Sequence, residues 1–336
     1  MDQAFTAELV ERSVEVGRID QMLNRAVAGA GSIMFVEGEA GIGKTGLARA
    51  ACAQAAAHGM RVRGARGGEL EQGLPFGVVR GLLAPDASAV CDRSLLAGAA
   101  ALAAGVLSPT APPSAGGGPD AYAVLHGLYW VVAGLGAEAP TLLIVDDAHL
   151  CDAPTLRFLA YLARRLDGLR IALLVATRPT ISDPQRDLLR ILADGAQPEI
   201  LRPRPLPGQA VGALVEEALG PAPDTGFVRA CSSTTGGNPY LIRELIAELK
   251  ASGVTPTHAN TERVSVAAPH RVQRAILTRL AQLPDGCAAL ARAAAVLGNG
   301  VDRCRAARLA GLTDESAGPL VDALAKANPR AAAGRR

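Results

Sequence analysis

Two kinds of apolar run alternate along the first two hundred residues. SIMFVEG (32–38), TLLIVDD (141–147) and RIALLVAT (170–177) are short, continuous and rich in Ile, Leu and Val. Runs of that kind, bounded by glycine, acids or turn residues, predict strands buried on both faces. Met60–Ala65 predicts another strand and Glu199–Leu201 the start of a fifth. Helical spacing appears between them. Ile19, Leu23, Ala26 and Val27 mark a helix within 9–29, and Thr45–His58 predicts an Ala-rich helix ending at Gly59. A further helix covers 120–136. Asp152 as N-cap, with Pro154 in the first turn, opens another that runs to Leu166. Strands alternating with helices predict an α/β fold, a parallel sheet covered on both faces.

Strand signals fade after about residue 204. Helices at 208–219, 225–231 and 239–250 suggest a small helical subdomain. A polar linker (252–268) and a helical region (270–326) follow. The organisation expected is a nucleotide-type α/β domain over 1–204 and a helical subdomain with linker over 205–262. A helical domain over 263–326 and a disordered tail over 327–336 complete it. The Pro/Gly/Ser-rich stretch 108–119 reads as a surface loop.

Composition narrows the class. Of 336 residues, 49% are hydrophobic and only 3% aromatic, so the cores rest on Ala, Val and Leu, and the few aromatics are expected inside. A net charge of +2 implies no dominant polyanion partner. Residues 264–336 carry eleven Lys or Arg against five Asp or Glu, which reads as exposed helix arginines before it reads as a nucleic-acid patch. Six scattered cysteines without CxxC spacing suggest reduced thiols. The acidic start MDQAFTAELVER is unlike a signal peptide. The longest apolar run, Leu95–Leu107, is too short to span a bilayer. The expectation is a soluble, cytoplasmic protein.

The chemistry sits on GEAGIGKT, Gly38-Glu39-Ala40-Gly41-Ile42-Gly43-Lys44-Thr45, which fits G-x-x-x-x-G-K-[ST] between a strand and a helix. Glycines let the backbone curl so that successive N–H groups face phosphate oxygens, and the helix start adds its positive end. Lys44 is the candidate for the β- and γ-phosphates, and Thr45 for a magnesium ion. Lysine occurs three times against 31 arginines, so a lysine at this position marks a need for a compact ammonium. The two acids ending LLIVDD extend the site: Asp146 for the metal, Asp147 to polarise an attacking water. Arg178, ending the fourth strand, is a candidate γ-phosphate sensor or a surface arginine before a turn. His149 reads equally as a functional or a hydrogen-bonded structural histidine.

Several stretches resemble the N-terminal ATPase module of large LuxR-family transcriptional regulators, the MalT-like or LAL type, within the STAND class of signalling ATPases. They are LVERSVEV (9–16), VEGEAGIGKTGLARA (36–50), ELEQGLPFGVVRGLL (69–83), LLIVDDAHLCDAPTLRFLAYLARRL (142–166), LLVATRP (173–179) and TGGNPYLIREL (235–245). RVQRAILTRLAQLP (271–284) extends the similarity toward a winged-helix-like region. The resemblance implies an ATP/ADP switch with Mg²⁺, slow hydrolysis, and self-association or a protein partner in the ATP state. It also implies that Leu9–Arg12 lie near the adenine and that Pro239 contacts the nucleotide. Leu150 and Cys151 depart from the family pattern. The family's sensor array and helix-turn-helix are not seen here, which argues against direct DNA binding and inducer sensing. Two rival functions stand beside the switch: a nucleotide-binding interaction module without hydrolysis, and a P-loop kinase acting on a small acceptor.

Overall fold

The computed structural model describes residues 11–69, 72–83, 96–107, 121–179, 184–196, 198–220, 222–266, 280, 283–297 and 302–327. The chain divides into two units, 1–204 and 205–336.

The first unit is built on five parallel strands: β1 (Ser32–Glu37), β2 (Arg61–Arg66), β3 (Thr141–Asp146), β4 (Ile171–Thr177) and β5 (Glu199–Leu201). Their order across the sheet is β2-β3-β4-β1-β5. β3 and β4 are buried at every position, as their unbroken apolar runs require. Successive side chains leave opposite faces of a strand, so the sheet sorts its residues into two cores. Ile33, Phe35, Leu143, Val145, Leu173 and Val175 face one side, against α3 (Gly77–Leu83), α5 (Ala121–Glu138), α6 (Ala153–Ala163) and α7 (Pro184–Ala196). Met34, Val36, Leu142, Ile144, Leu174 and Ala176 face the other, against α1 (Ser13–Val27) and α2 (Lys44–Ala57).

Asp152 caps α6 as the sequence suggests. Its Oδ1 accepts the Thr155 N–H at 2.8 Å, with Pro154 in the first turn. The same oxygen accepts the Phe76 N–H at 2.8 Å, which ties the segment before α3 to the start of α6. Helix α6 ends at Ala163, three residues before the expected Leu166. Helices α3 and α7, and a 3₁₀ turn leading into α4 (Gly98–Ala103, then Ala104–Leu107), were not foreseen. α3 and α4 are too short for a helical period to show, whereas α7 spans 13 residues and packs Leu188, Leu189, Leu192 and Ala193 against the core, a spacing that was overlooked. The loop expected over 108–119 lies outside the described residues.

The second unit contains α8 (Gly208–Leu219), α9 (Thr225–Thr235) and α10 (Pro239–Ala251). The supposed linker 252–268 instead carries a 3₁₀ turn, His258–Asn260, and a helix, Thr261–Val266, with Val264 buried. Helices Cys287–Leu297, Arg303–Leu309 and Asp314–Ala327 pack around Cys287, Leu290, Ala306 and Leu320. No strand occurs among the described residues of this unit. Of the tail expected over 327–336, Ala327 ends a helix and 328–336 lie outside the described residues. No described helix is long and apolar enough to cross a membrane.

The aromatic residues do not follow the expectation that all are core. Phe35, Phe76, Phe158 and Phe227 are buried, but Trp130, Tyr122 and Tyr240 are exposed. Tyrosine and tryptophan carry a polar group that burial would have to satisfy, so a surface position costs them little.

Candidate nucleotide site

The turn between β1 and α2 holds the predicted GEAGIGKT segment. Gly41 and Gly43 adopt φ of 77° and 105°, a region that side chains with a Cβ rarely enter. Gly43 is the N-cap of α2, so the loop delivers Lys44 and Thr45 into the first helical turn. Lys44 is buried, and its Nζ donates to the carbonyls of Gly38 at 2.7 Å and Glu39 at 2.9 Å. The ammonium therefore closes the loop on itself and sits inside the ring of residues 38–45. Burial, and next the charge of Arg178, lower its pKa to about 8, while Asp147 and Asp146 oppose the shift.

Parallel pairing brings the distant candidates to this loop. Glu37 is in register with Thr177, and the Gly38 N–H donates to the Thr177 carbonyl at 3.1 Å, which sets Arg178 beside the loop. Asp146, at the end of β3, accepts the Thr45 hydroxyl at 2.9 Å through Oδ2. Its Oδ1 accepts the Asp147 N–H at 2.9 Å. A hydroxyl and a carboxylate oxygen this close are a hard-donor pair suited to magnesium, and the loop's amides suit the phosphates beside it.

Asp147 is buried, with φ of 48° in the left-handed region. Its Oδ2 accepts two bonds from Arg66, from Nε at 2.9 Å and Nη2 at 2.6 Å. Sequence reasoning missed Arg66. The available signal was the pairing of β2 with β3, which sets Arg66 in register with Asp146. Gly67 follows, where a Cβ would lie 2.5 Å from the Asp147 carbonyl oxygen. The close approach of these two backbones requires glycine there.

His149 is buried too. Burial and the charge of Arg178 push its pKa down to about 4, so the ring is neutral near pH 7. Its Nδ1 and the Nε of Arg178 are buried without a hydrogen-bond partner among the described residues. Two unsatisfied polar groups beside a phosphate cradle are atoms that a polar ligand would satisfy. Of the two readings of His149, the hydrogen-bonded structural one fits Nδ1 poorly.

Arg12 is a second residue whose role the motif did not reveal. It is buried, and its Nη2 donates to the carbonyls of Ile42 at 3.2 Å and Arg204 at 2.7 Å. One guanidinium thus joins the start of the chain, the phosphate loop and the end of the first unit. Pro239 belongs to the second unit, in the first turn of α10. Asn238 caps that helix by accepting the N–H groups of Tyr240 and Leu241. A cavity of about 560 Å³ opens elsewhere on the first unit, lined by Arg25, Ser32, Arg164, Asp167 and Glu199. None of the predicted site residues lines it.

The arrangement of loop, Lys44, Thr45 and the β3 acids coincides with a family match. Residues 8–175, half of the chain, match the AAA ATPase domain. The chain belongs to that family. The AAA fold extends over known structures. The ORC2 protein of Aeropyrum pernix, solved in ADPNP and ADP complexes, is 16% identical with a TM-score of 0.57. The alignment covers 97% of this chain and 88% of that one. The Cdc6p of Pyrobaculum aerophilum is 15% identical with a TM-score of 0.50, again over 97% and 88%. At such identities the likeness concerns the fold alone. No curated protein matches the sequence.

Proposed function

We propose that this AAA ATPase chain is an ATP/ADP switch module that binds ATP with Mg²⁺ and hydrolyses it slowly. The observation that carries the reading is the Thr45–Asp146 contact of 2.9 Å at the mouth of a loop closed by Lys44. The N–H groups of Gly38–Thr45 and the α2 N-terminus would hold the phosphates. Lys44 would exchange its two carbonyl partners for β- and γ-oxygens. Thr45 and Asp146 would hold magnesium, which when bound neutralises charge on the phosphate oxygens. Arg178, with an unpartnered buried Nε, would meet the γ-phosphate, and Asp147 would orient water.

The structures of ORC2 with ADPNP and ADP support nucleotide as the ligand of this fold. The LuxR-family resemblance supports a regulatory use. In that use the ATP form self-associates or binds a protein partner, and the protein works in the cytoplasm. A regulatory switch needs slow turnover, because hydrolysis sets how long the ATP state lasts.

One observation favours the rival reading of a binding module without hydrolysis. Both Arg66 bonds fall on Asp147, the acid that the switch reading needs to polarise water. Calorimetry and phosphate release separate the readings. Wild type is expected to bind ATP·Mg²⁺, and Lys44→Ala to bind it about 100-fold more weakly, since bonds from a charged donor are at stake. Unchanged affinity in that variant would remove the assignment. Phosphate release that Asp147→Asn abolishes supports the switch. No release from wild type supports the binding module, and a labelled organic product would indicate a kinase.

A further inference from the structure

The chain has one tryptophan and four tyrosines, and four of these five residues meet on one face of the first unit. Tyr122, His126, Tyr129 and Trp130 follow helical spacing along α5. Tyr161 joins them from α6. The opposite side of α5 is the structural one: Leu128, Val131, Val132 and Leu135 are buried in the core. Tyr129 packs partly against that core, whereas Tyr122 and Trp130 stand outside it. Tyr122 and Trp130 are 63% and 46% exposed, which leaves ring faces open to solvent.

The polar atoms of this face are largely spoken for. Trp130 Nε1 donates to His126 Nε2 at 3.0 Å, and the other ring nitrogen of His126 lies 3.1 Å from the Tyr161 hydroxyl. The Arg165 guanidinium lies over the Tyr161 ring, 3.8 Å from its centroid, and also donates to the Tyr161 carbonyl at 3.0 Å. Arg157, Tyr161, Arg164 and Arg165 share the outer side of α6 and the residues just after it, and all three arginines are exposed. α5 has no charged residue before Glu138, and α6 has no acid. Beside these rings, the charged residues of α6 and of the two positions after it are arginines.

That chemistry selects among partners. A second copy meeting this face across a two-fold axis would set arginine against arginine with no acid to neutralise it. A proline-rich peptide needs aromatic walls with a free donor for its carbonyls, and the indole N–H is already engaged. A single-stranded nucleic acid presents flat bases and a chain of anions, the complement of both features. We propose that the face formed by Tyr122, Trp130 and Tyr161, edged by Arg157 and Arg165, binds single-stranded nucleic acid by stacking bases and pairing phosphates. The proposal is independent of the nucleotide site.

Because Trp130 is the only tryptophan, its fluorescence reports from the site itself. Titrating the full chain with an oligothymidylate of about 12 nucleotides should quench that emission saturably, with affinity falling steeply as salt rises. By anisotropy of a labelled oligonucleotide, Tyr122→Ala and Trp130→Ala should each bind roughly tenfold more weakly. Trp130→Phe should stay near wild type, and Arg165→Ala should bind more weakly with a shallower salt slope. Unchanged ATP affinity in these variants would show that they remain folded. Binding without quenching would place the strand elsewhere, for example on the arginines of 264–336, and overturn the proposal. So would the absence of binding. Quenching by a proline-rich peptide, or by concentration-dependent self-association in sedimentation, without any by the oligonucleotide would also overturn it.

Discussion

Arg66 and Asp147 are joined through a single oxygen: Nε and Nη2 of the arginine both reach Asp147 Oδ2, at 2.9 and 2.6 Å. The arginine is 69% exposed and the carboxylate 9%. A buried carboxylate just after β3 is thus held by a side chain that solvent can reach.

Removing the arginine tests whether the pair restrains turnover. Arg66→Ala should change stability by less than about 1 kcal/mol, because ion pairs with an exposed partner contribute little. It should raise basal phosphate release by about tenfold, part of the 100-fold or more that a positioned base supplies. A slower rate would mean that Arg66 orients Asp147 productively instead of restraining it.

The Thr45–Asp146 contact makes a separate prediction about magnesium. Thr45→Ala should lower ATP affinity about tenfold in Mg²⁺, the order expected for one bond to a charged group. Affinity in EDTA should change little. Calorimetry with and without the ion checks this, and an equal loss in both conditions would detach the hydroxyl from the metal.

His149 predicts an acid sensitivity with a definite sign. Its folded pKa of about 4 lies below the ordinary 6.5, so on acidification the unfolded chain takes up the proton first. The folded state therefore loses stability between pH 6.5 and 4. The loss is at most about 3 kcal/mol, the equivalent of that depression. His149→Asn should be less sensitive over this window in urea unfolding. Identical pH slopes for variant and wild type would show that the ring does not titrate this way.

Gly67 gives a packing prediction beside the same acids. A methyl there would meet the Asp147 carbonyl oxygen at 2.5 Å and the Cys151 nitrogen at 3.1 Å, both backbone atoms. Gly67→Ala should cost about 1–3 kcal/mol, as overpacked sites do, and should also reduce phosphate release by displacing Asp147. Thermal unfolding and a phosphate assay read the two effects, and an unchanged melting temperature would count against the close approach.

The fold was legible where apolar runs were long. All five strands fall within a residue or two of their expected bounds, and α8 matches residue for residue. Helix α3 and the segment 98–107 were missed because pieces this short carry little periodic signal, whereas α7, with Leu188, Leu189, Leu192 and Ala193 at helical spacing, was legible and overlooked. The aromatic expectation failed for a related reason. Composition gives no direction to a side chain, and Trp130 and Tyr122 point outward from a helix whose opposite side is core.

What the residue order settled by itself is local: a glycine-rich turn whose φ values only glycine accepts freely, a lysine and threonine opening a helix, and two acids ending a strand. Those are consequences of steric and hydrogen-bonding rules that act over a few residues. The tertiary structure decided which partners they meet. Asp146 reaches Thr45 across 101 residues, Arg66 reaches Asp147 across 81, and Arg12 reaches the Arg204 carbonyl across 192. Strand order and register set those distances, and they arise from how all five strands pack together, which no short stretch of sequence contains.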